Sequence, residues 1–305
     1  MSTPQRMYDP KTERPITAVF HAGSIAAQLP AMAGEGFADT AMLMLMSSCE
    51  NRCFFCANPG TTENLHPTPW ARIAGFLEGN RTLKVKRLLI AGTEPTTHPD
   101  LIRAAMLAQE VGFTEIQLMT SGMRLSDPDL LTPLVNAGLQ SVCVPLYAAQ
   151  PAIHNAITGT ERFSDVIDGL DAAHRHGVTV HIHTLALYET LPELPALVSF
   201  VSHRYNTQVR VGAVREKTMF PYDQRVPSYA EIRSAVADLD VILPGFPRCL
   251  DRRKPVWDDT VTALYFRSQA AEHPPACMDC ADREGCLGVV RAALKRDGPG
   301  MVIPR

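Results

Sequence analysis

The 305-residue chain holds 46% hydrophobic and 20% charged residues, the balance of an ordinary globular protein of one or two domains. The formal net charge of −3 gives no reason to expect a nucleic acid or an anionic membrane as a partner. The polar start of the chain lacks the apolar core of a signal peptide, and no apolar run reaches the roughly 18 residues of a membrane span. The sequence therefore predicts a cytoplasmic protein.

Short apolar or β-branched runs alternate with amphipathic stretches from residue 41 to about residue 240. The predicted strands span residues 41–46, 87–91, 115–120, 141–146, 178–187 and 208–214. The predicted helices span residues 69–78, 100–111, 127–137, 164–176, 191–205 and 228–239. The signals for helix ends are N-caps at Asp100, Asp127 and Ser164 and left-handed glycines at Gly112, Gly138 and Gly177.

This alternation predicts an α/β fold with a parallel sheet and right-handed crossovers. Six units are fewer than the eight of a closed barrel, so the predicted fold is a partial (β/α)6 TIM-like barrel. Residues 1–40 are then an N-terminal extension and residues 41–243 the barrel. A proline-rich stretch opens a small, cysteine-bearing C-terminal domain at residues 244–305. Active-site residues are expected at the carboxyl ends of the strands.

Eight cysteines in a protein predicted to be cytoplasmic indicate metal binding or chemistry more than disulfides. Cys143 stands apart in an apolar strand and is predicted to be a buried, unreactive thiol. Cys49, Cys53 and Cys56 form a C-x3-C-x2-C loop directly after the first strand. Three thiolates can ligate three irons of a [4Fe–4S] cluster, and S-adenosylmethionine (SAM) can chelate the fourth. The alternative, structural zinc, needs a further ligand, and the next candidate, His66, is ten residues away.

The second predicted strand ends in the segment Ala91-Gly92-Thr93-Glu94-Pro95. A carboxylate at the carboxyl end of a strand can pair with an ammonium group, and the flanking glycine and proline fix a close backbone approach. Alone, Glu94 would be an ordinary solvated loop charge. Beside the cysteine loop it is a candidate for binding a ligand.

Together, the cysteine loop and this segment resemble the signature of the radical SAM superfamily over residues 41 to about 215. The segment is similar to the family's GGEP motif, with Ala and Thr at two of its positions. The resemblance implies a [4Fe–4S] cluster on the three cysteines and contact of adenine with the backbone at Phe55. It also implies that SAM is bound by Gly92, Thr93, Glu94 and Pro95.

Weaker similarities continue along the barrel. Thr120 and Ser121 resemble a turn that donates hydrogen bonds to the carboxylate or ribose of SAM. The segment from Tyr147 to Gly159 resembles the substrate-side loop of the pyrroloquinoline-quinone-maturase branch, so Tyr147 is a candidate contact to substrate or SAM. Pro145 stands where many relatives have a ribose-binding serine.

Three further polar residues are candidates for contacts with substrate or SAM. His181 and His183 share one face of the fifth predicted strand. Each either points into the barrel cavity or is a structural histidine. Arg215, just after the sixth strand, either pairs with a carboxylate or is solvated.

The second cysteine group consists of Cys249, Cys277, Cys280 and Cys286. Four thiolates can hold zinc or complete a [4Fe–4S] cluster, and the spacing does not decide between them. The group resembles the auxiliary-cluster run of radical SAM enzymes with SPASM or twitch extensions. Val290 occupies the position of that run's next cysteine, so the resemblance implies a truncated, one-cluster Fe–S domain. Two [4Fe–4S] clusters are therefore expected.

The resemblance implies that a reduced flavodoxin or ferredoxin supplies one electron for the cleavage of SAM. The resulting 5′-deoxyadenosyl radical would then abstract hydrogen from a substrate C–H bond. The main hypothesis is an oxidoreductase-type maturation of a ribosomally made peptide, with a separate leader-peptide-binding protein as a partner. The alternative is small-molecule oxidation or the biosynthesis of a cofactor or natural product. A redox-sensing Fe–S or zinc protein is a third, non-enzymatic class.

Overall fold

Strands and helices alternate along the chain in the computed structural model. It describes residues 7–8, 15–19, 40–45, 47–56, 67–83, 85–214, 221–251, 271–283, 286 and 288–303. The candidates His66 and Arg215 lie outside the described residues.

Within the part of the chain that the structure describes, one sheet has nine strands whose order in space is their order in the chain. They are β1 (Met7–Tyr8), β2 (Pro15–Val19), β3 (Thr40–Leu45), β4 (Arg87–Gly92), β5 (Glu115–Met119), β6 (Leu139–Pro145), β7 (Thr179–Leu185), β8 (Val209–Gly212) and β9 (Val241–Ile242). The pairs β1–β2 and β2–β3 are antiparallel, and the parallel part runs from β3 to β9. The short strands β10 (Ala271–Glu272) and β11 (Val289–Val290) pair antiparallel. The fold is therefore the predicted α/β partial barrel, with seven parallel strands where six were expected.

The helices that connect these strands are short. They are α1 (Trp70–Glu78), α2 (Asn80–Leu83), α3 (Leu101–Glu110), α4 (Pro128–Asn136), α5 (Pro151–Thr158), α6 (Phe163–Arg175), α7 (Leu194–Tyr205), α8 (Tyr222–Arg225), α9 (Tyr229–Val236) and α10 (Arg291–Asp297). The helix α5 occupies a stretch that the sequence assigned to a loop.

The helix ends follow the expected signals in part. The side chain of Asp127 caps α4 by accepting the N–H of Asp129 at 2.9 Å. Asp100 stands at the N-cap of α3 without a capping hydrogen bond. Ser164 is not a cap, because α6 begins one residue earlier with Arg162 at the N-cap. The glycines expected after the helices have positive φ angles: Gly112 (99°), Gly138 (91°) and Gly177 (74°).

Burial separates the two faces of the parallel strands. On β7, Val180, Ile182 and Thr184 are buried, whereas His181 and His183 are half-exposed. Most of β4 is buried on both faces, as expected for an inner parallel strand. On β6, Cys143 is buried, as predicted.

The chain divides into two compact units. The first comprises Met1–Gln28, Ala33–Pro145 and Thr158–His181, and the second comprises Leu29–Met32, Leu146–Ile157 and Ile182–Arg305. The domain boundaries expected after residues 40 and 243 stay predictions. Among the described helices, none combines the length and hydropathy that crossing a membrane requires.

Candidate active site

The loop after β3 carries the thiols of Cys49, Cys53 and Cys56, all of them half-exposed. The N–H of Cys56 donates to the carbonyl oxygen of Cys53 at 2.9 Å, so these two cysteines share a tight turn. Phe55 lies within that turn, its ring edge-on to that of Phe54 with centroids 5.4 Å apart. Three accessible thiols on one short loop form the donor set that three irons of a cluster require.

Within the described ranges, no three His, Cys, Asp or Glu side chains converge closely enough to hold one metal ion. In a cubane cluster each thiolate binds a different iron, so the ligand atoms do not have to meet at one point.

The charge of the Glu94 carboxylate, which follows β4, acts on the thiol of Cys49. Burial raises the pKa of the Cys49 thiol to about 11, and the charges of Glu94, Cys56 and Glu50 also raise it. A hydrogen bond from the backbone of Asn51 acts in the opposite direction and lowers it. A metal that binds here must displace the thiol proton, as metal ligation by cysteine requires.

Two threonines tie the start of the cysteine loop to the residues after β4. The Thr93 hydroxyl accepts the N–H of Ser47 at 2.9 Å and donates to the Ser47 carbonyl. The Thr97 hydroxyl lies 2.9 Å from the Ser47 hydroxyl, 2.7 Å from the Ser48 carbonyl oxygen and 2.8 Å from the Glu94 carbonyl oxygen. The backbone immediately before Cys49 is therefore anchored to the predicted SAM-binding segment.

The carboxylate of Glu94 is almost completely buried, with 2% of the residue exposed. Its Oε1 accepts the N–H of Thr96 at 3.1 Å, the hydroxyl of Thr96 at 2.6 Å and the hydroxyl of Thr120 at 2.5 Å. Its Oε2 accepts the N–H of Ser121 at 2.7 Å. Four donors thus fix the carboxylate at the carboxyl ends of β4 and β5.

Two polar atoms, one oxygen of this carboxylate and one hydroxyl next to it, can form further hydrogen bonds to a ligand. The hydroxyl of Ser121 is buried without a hydrogen-bond partner, and Oε2 of Glu94 accepts one bond where a carboxylate oxygen has room for two. An unsatisfied buried polar group costs about 1–3 kcal/mol, which a polar ligand that bonds to it can offset. The complementary groups are an ammonium for Oε2 and a carboxylate for the hydroxyl. The methionine part of SAM carries both, so the site fits it.

Gly92 ends β4 at a close approach to β3. It has a φ of 151°, and a Cβ on it would lie 1.8 Å from the carbonyl oxygen of Leu45. Pro95 then begins the short 3-10 turn Pro95–Thr97. The backbone of this segment is therefore fixed where it meets the cysteine loop.

The site depends on several residues that sequence reasoning did not single out. Ser47 and Thr97 hold the cysteine loop, and Thr96 donates twice to Glu94. The sequence feature that could have indicated the two threonines is their position directly after Pro95, where both offer a hydroxyl close to Glu94.

Tyr147 is buried in the second unit, and its N–H donates to Nδ1 of His154 on α5 at 3.3 Å. Burial lowers the pKa of His154 to about 4. The imidazole is therefore neutral at pH 7 with Nδ1 as an acceptor, which places its proton on Nε2.

The depressed pKa of His154 predicts a dependence of stability on pH. An unfolded histidine takes up a proton near its ordinary pKa of 6.5, whereas folded His154 does so only near a pKa of about 4, so stability falls as the pH drops through that window. Between pH 7 and 5.5 the free energy of unfolding should fall by about 1 kcal/mol more in the wild type than in His154→Gln. Urea denaturation of both proteins at both pH values measures the difference. Equal losses would contradict the buried, neutral state of His154.

His183 lies on the half-exposed face of β7, where its register partner on β8 is Arg210. A Cβ on Gly212 would lie 2.5 Å from Nε2 of His183, so the imidazole covers this glycine. These contacts belong to the second unit, whereas the cysteine loop and Glu94 belong to the first.

The four C-terminal cysteines line one pocket in the second unit. Its lining includes Cys249, Cys277, Cys280, Cys286, Arg248 and His273. Burial raises the pKa of Cys277 and of Cys286, and the neighbouring cysteines add to the effect. The N–H of Gly288 donates to the sulfur of Cys286 at 3.4 Å. The structure thus brings together the cysteines that their spacing grouped, and Val290 is a buried apolar residue near them in the chain.

Residues 43–201, more than half of the chain, match the family described as the radical SAM superfamily. A relative from Methanopyrus kandleri, named "Probable GTP 3',8-cyclase", is 34% identical over 157 residues, which cover 49% of this chain and 48% of the relative. A protein of the same name from Sulfurisphaera tokodaii is 25% identical over 200 residues, 62% of each chain. The chain thus spans about half the length of most of the curated relatives it matches.

Solved structures are similar to this chain in fold. Streptococcus suis SuiB bound to S-adenosylmethionine aligns with a TM-score of 0.54 and 16% identity over 69% of this chain and 49% of that chain. Native anSMEcpe with bound AdoMet and Kp18Cys peptide aligns with a TM-score of 0.55 and 14% identity over 66% of this chain and 58% of that chain.

Proposed function

Because the chain belongs to the radical SAM superfamily, we propose that it cleaves SAM reductively and uses the resulting radical on a small-molecule substrate. One observation carries this proposal. The Glu94 carboxylate, held by four protein donors, lies beside the unpartnered Ser121 hydroxyl and within electrostatic range of Cys49.

The chain's residues bind and orient SAM in this proposal. Glu94 holds the ammonium and Ser121 the carboxylate of the methionine part, while the cysteine loop carries the cluster. When bound, a [4Fe–4S] cluster supplies one electron, received from a reduced flavodoxin or ferredoxin, to the sulfonium of SAM. This chemistry would cleave the S–C5′ bond into methionine and a 5′-deoxyadenosyl radical, and that radical would take a hydrogen atom from the substrate. The products of this step are 5′-deoxyadenosine and a substrate radical.

A small molecule is the substrate class that the sequence similarities favour. Two relatives named as probable GTP 3',8-cyclases are 34% and 25% identical over 157 and 200 residues, so reactions of cofactor biosynthesis are the first to assay, with GTP among the candidate substrates. The structural neighbours with peptide ligands are only 14–16% identical and support the fold alone. Maturation of a ribosomally made peptide, with a separate leader-binding protein, stays a prediction.

The C-terminal cysteines are proposed to hold an auxiliary [4Fe–4S] cluster. Support comes from the four thiols on one pocket, since four thiolates can ligate all the irons of a cluster. The N–H of Gly288 on the Cys286 sulfur is the kind of hydrogen bond that tunes the reduction potential of such a cluster. Zinc on the same four cysteines is the alternative.

The proposed SAM contact predicts the behaviour of Glu94→Gln. The amide loses the charge-assisted bond to the ammonium, and in either orientation its NH2 faces a backbone donor, the N–H of Ser121 or the N–H of Thr96. A hydrogen bond to a charged group contributes about 1.5–3 kcal/mol, so SAM affinity should fall by at least about tenfold. Anaerobic equilibrium binding of SAM measures the loss, while the visible absorption of the clusters should persist.

A matched control is Glu115→Gln, which removes a half-exposed carboxylate that pairs with Arg87 on the neighbouring strand. This variant should bind SAM like the wild type. If Glu94→Gln and Glu115→Gln have the same affinity for SAM, the ammonium is bound elsewhere.

A further inference from the structure

The segment of residues 158–162, from the last residue of α5 to the residue before α6, lies against the middle of the cysteine loop. The N–H of Arg52 donates to the carbonyl oxygen of Thr158 at 2.7 Å. The hydroxyl of Thr160 donates to Oδ1 of Asn51 at 3.1 Å. Thr158 itself is 1% exposed, so its carbonyl is part of a fixed, buried backbone. The two residues between Cys49 and Cys53 that make these bonds are therefore held from outside the loop.

Two further contacts complete this interaction. Arg162 pairs with Glu50 at 3.4 Å and also with Asp165 on α6. Gly159 has a φ of 69°, and a Cβ on it would lie 3.0 Å from Cβ and 3.2 Å from the carbonyl oxygen of Arg52. A glycine allows the segment to approach the loop this closely in this conformation without strain.

The helix that follows the segment reaches the other half of the site. A Cβ on Gly169 of α6 would lie 2.0 Å from the carbonyl oxygen of Gly122, the residue after Ser121. Residues 158–175 therefore contact the cysteine loop at one end and the Thr120–Ser121–Gly122 turn further along.

We propose that residues 158–162 and α6 form a positioning element that sets the cysteine loop in register with the turn that carries Ser121. The inference rests on the proposed function, because it assigns the loop to a cluster and the turn to SAM. A bound SAM must reach from an iron of the cluster to Glu94 and Ser121, so the separation of the loop and the turn decides whether both contacts form together. A misplacement of about 1 Å can cost a reaction about a hundredfold. The element therefore fixes the separation between the cysteine loop and the Ser121 turn before SAM binds.

The experiment compares two glycine variants of the full-length, anaerobically reconstituted protein. Gly159→Ala strains the backbone and pushes Arg52 away, whereas Gly177→Ala places the same strain, at a φ of 74°, after α6 where nothing lies within 4 Å. Both variants should lose similar overall stability. Gly159→Ala alone should speed hydrogen exchange at residues 50–54 and speed iron loss to a ferrous chelator about tenfold, because only there does the strained residue lie against the cysteine loop.

A second pair of variants tests the segment without backbone strain. Thr160→Val removes the hydroxyl that bonds to Asn51, and Thr160→Ser retains it. We expect faster hydrogen exchange at residues 50–54 in Thr160→Val and the wild-type rate in Thr160→Ser. A SAM-induced change in the EPR signal of the reduced cluster should weaken in Gly159→Ala and Thr160→Val and persist in the two controls.

The outcomes separate this inference from the proposed function. Suppose that the wild type binds the cluster and SAM. If Gly159→Ala then has the same hydrogen exchange and iron loss as Gly177→Ala, and Thr160→Val the same hydrogen exchange as Thr160→Ser, the positioning element is refuted and the proposed function stands. If the wild-type cysteine loop binds no cluster, the proposed function fails, and the inference fails with it.

Discussion

Replacing Cys49, Cys53 and Cys56 together with Ala is expected to abolish the formation of 5′-deoxyadenosine from SAM. The thiolates are the proposed ligands of the cluster that delivers the electron, so their loss removes the site of reduction. All three side chains are half-exposed on a loop, and their truncation leaves no cavity in the barrel core. The protein should therefore stay folded and soluble. Chromatographic measurement of 5′-deoxyadenosine after reduction with dithionite gives the result.

Metal analysis of the same variant tests the two cysteine groups separately. The wild type should contain about eight irons per chain and the variant about four, because each [4Fe–4S] cluster draws on its own cysteines. Cys143→Ala is the control, since this thiol is buried in β6 and should leave the iron content unchanged. One zinc in place of the four remaining irons would refute the auxiliary cluster. Undiminished cleavage of SAM in the triple variant would refute the assignment of the cysteine loop.

Gly92→Ala is expected to have the largest effect of any single substitution in the site. The added Cβ would lie 1.8 Å from the carbonyl oxygen of Leu45, and rotation of a side chain cannot relieve a contact made by Cβ itself. The carboxyl ends of β3 and β4 must move apart, which displaces the cysteine loop relative to Glu94. We expect a loss of about 3 kcal/mol or more in stability. SAM affinity should fall by at least about tenfold, because a hydrogen bond to a charged group contributes about 1.5–3 kcal/mol.

Gly112→Ala is the matched control for this substitution. Gly112 also has a positive φ, at 99°, but nothing lies within 4 Å of a Cβ there. Thermal unfolding and SAM binding of both variants measure the difference. If Gly92→Ala retains wild-type SAM affinity, the close approach of β4 to Leu45 does not hold the site in place.

The strand and helix pattern was predictable because it follows local periodicity. β7 alternates buried and half-exposed residues, and the glycines after α3, α4 and α6 mark the ends of those helices. The strand β9 was missed because two residues, Val241 and Ile242, give no alternation to recognise. The cap of α6 was misplaced by two residues, since serine is a favoured cap but Arg162 occupies the position in the structure.

The site was predictable only where adjacent residues carry the chemistry. The cysteine spacing and Glu94 stand out in the sequence. The sequence indicates Thr120 and Ser121 as contacts of SAM but does not indicate their bonds to Glu94. The contact of Thr160 with Asn51 joins residues more than a hundred positions apart, and no local pattern announces such a bond. Long-range hydrogen bonds between loops depend on the tertiary fold and therefore have no periodic signature.

The most direct test of radical SAM chemistry is the reaction of the wild-type protein with SAM. After anaerobic reconstitution and reduction, the protein should release methionine and 5′-deoxyadenosine in equal amounts, because one S–C5′ bond breaks for each electron delivered. The rate should rise when the true substrate is added. A fully loaded, reduced protein that binds SAM but forms no 5′-deoxyadenosine, with or without GTP or other candidate substrates, would contradict the proposed function.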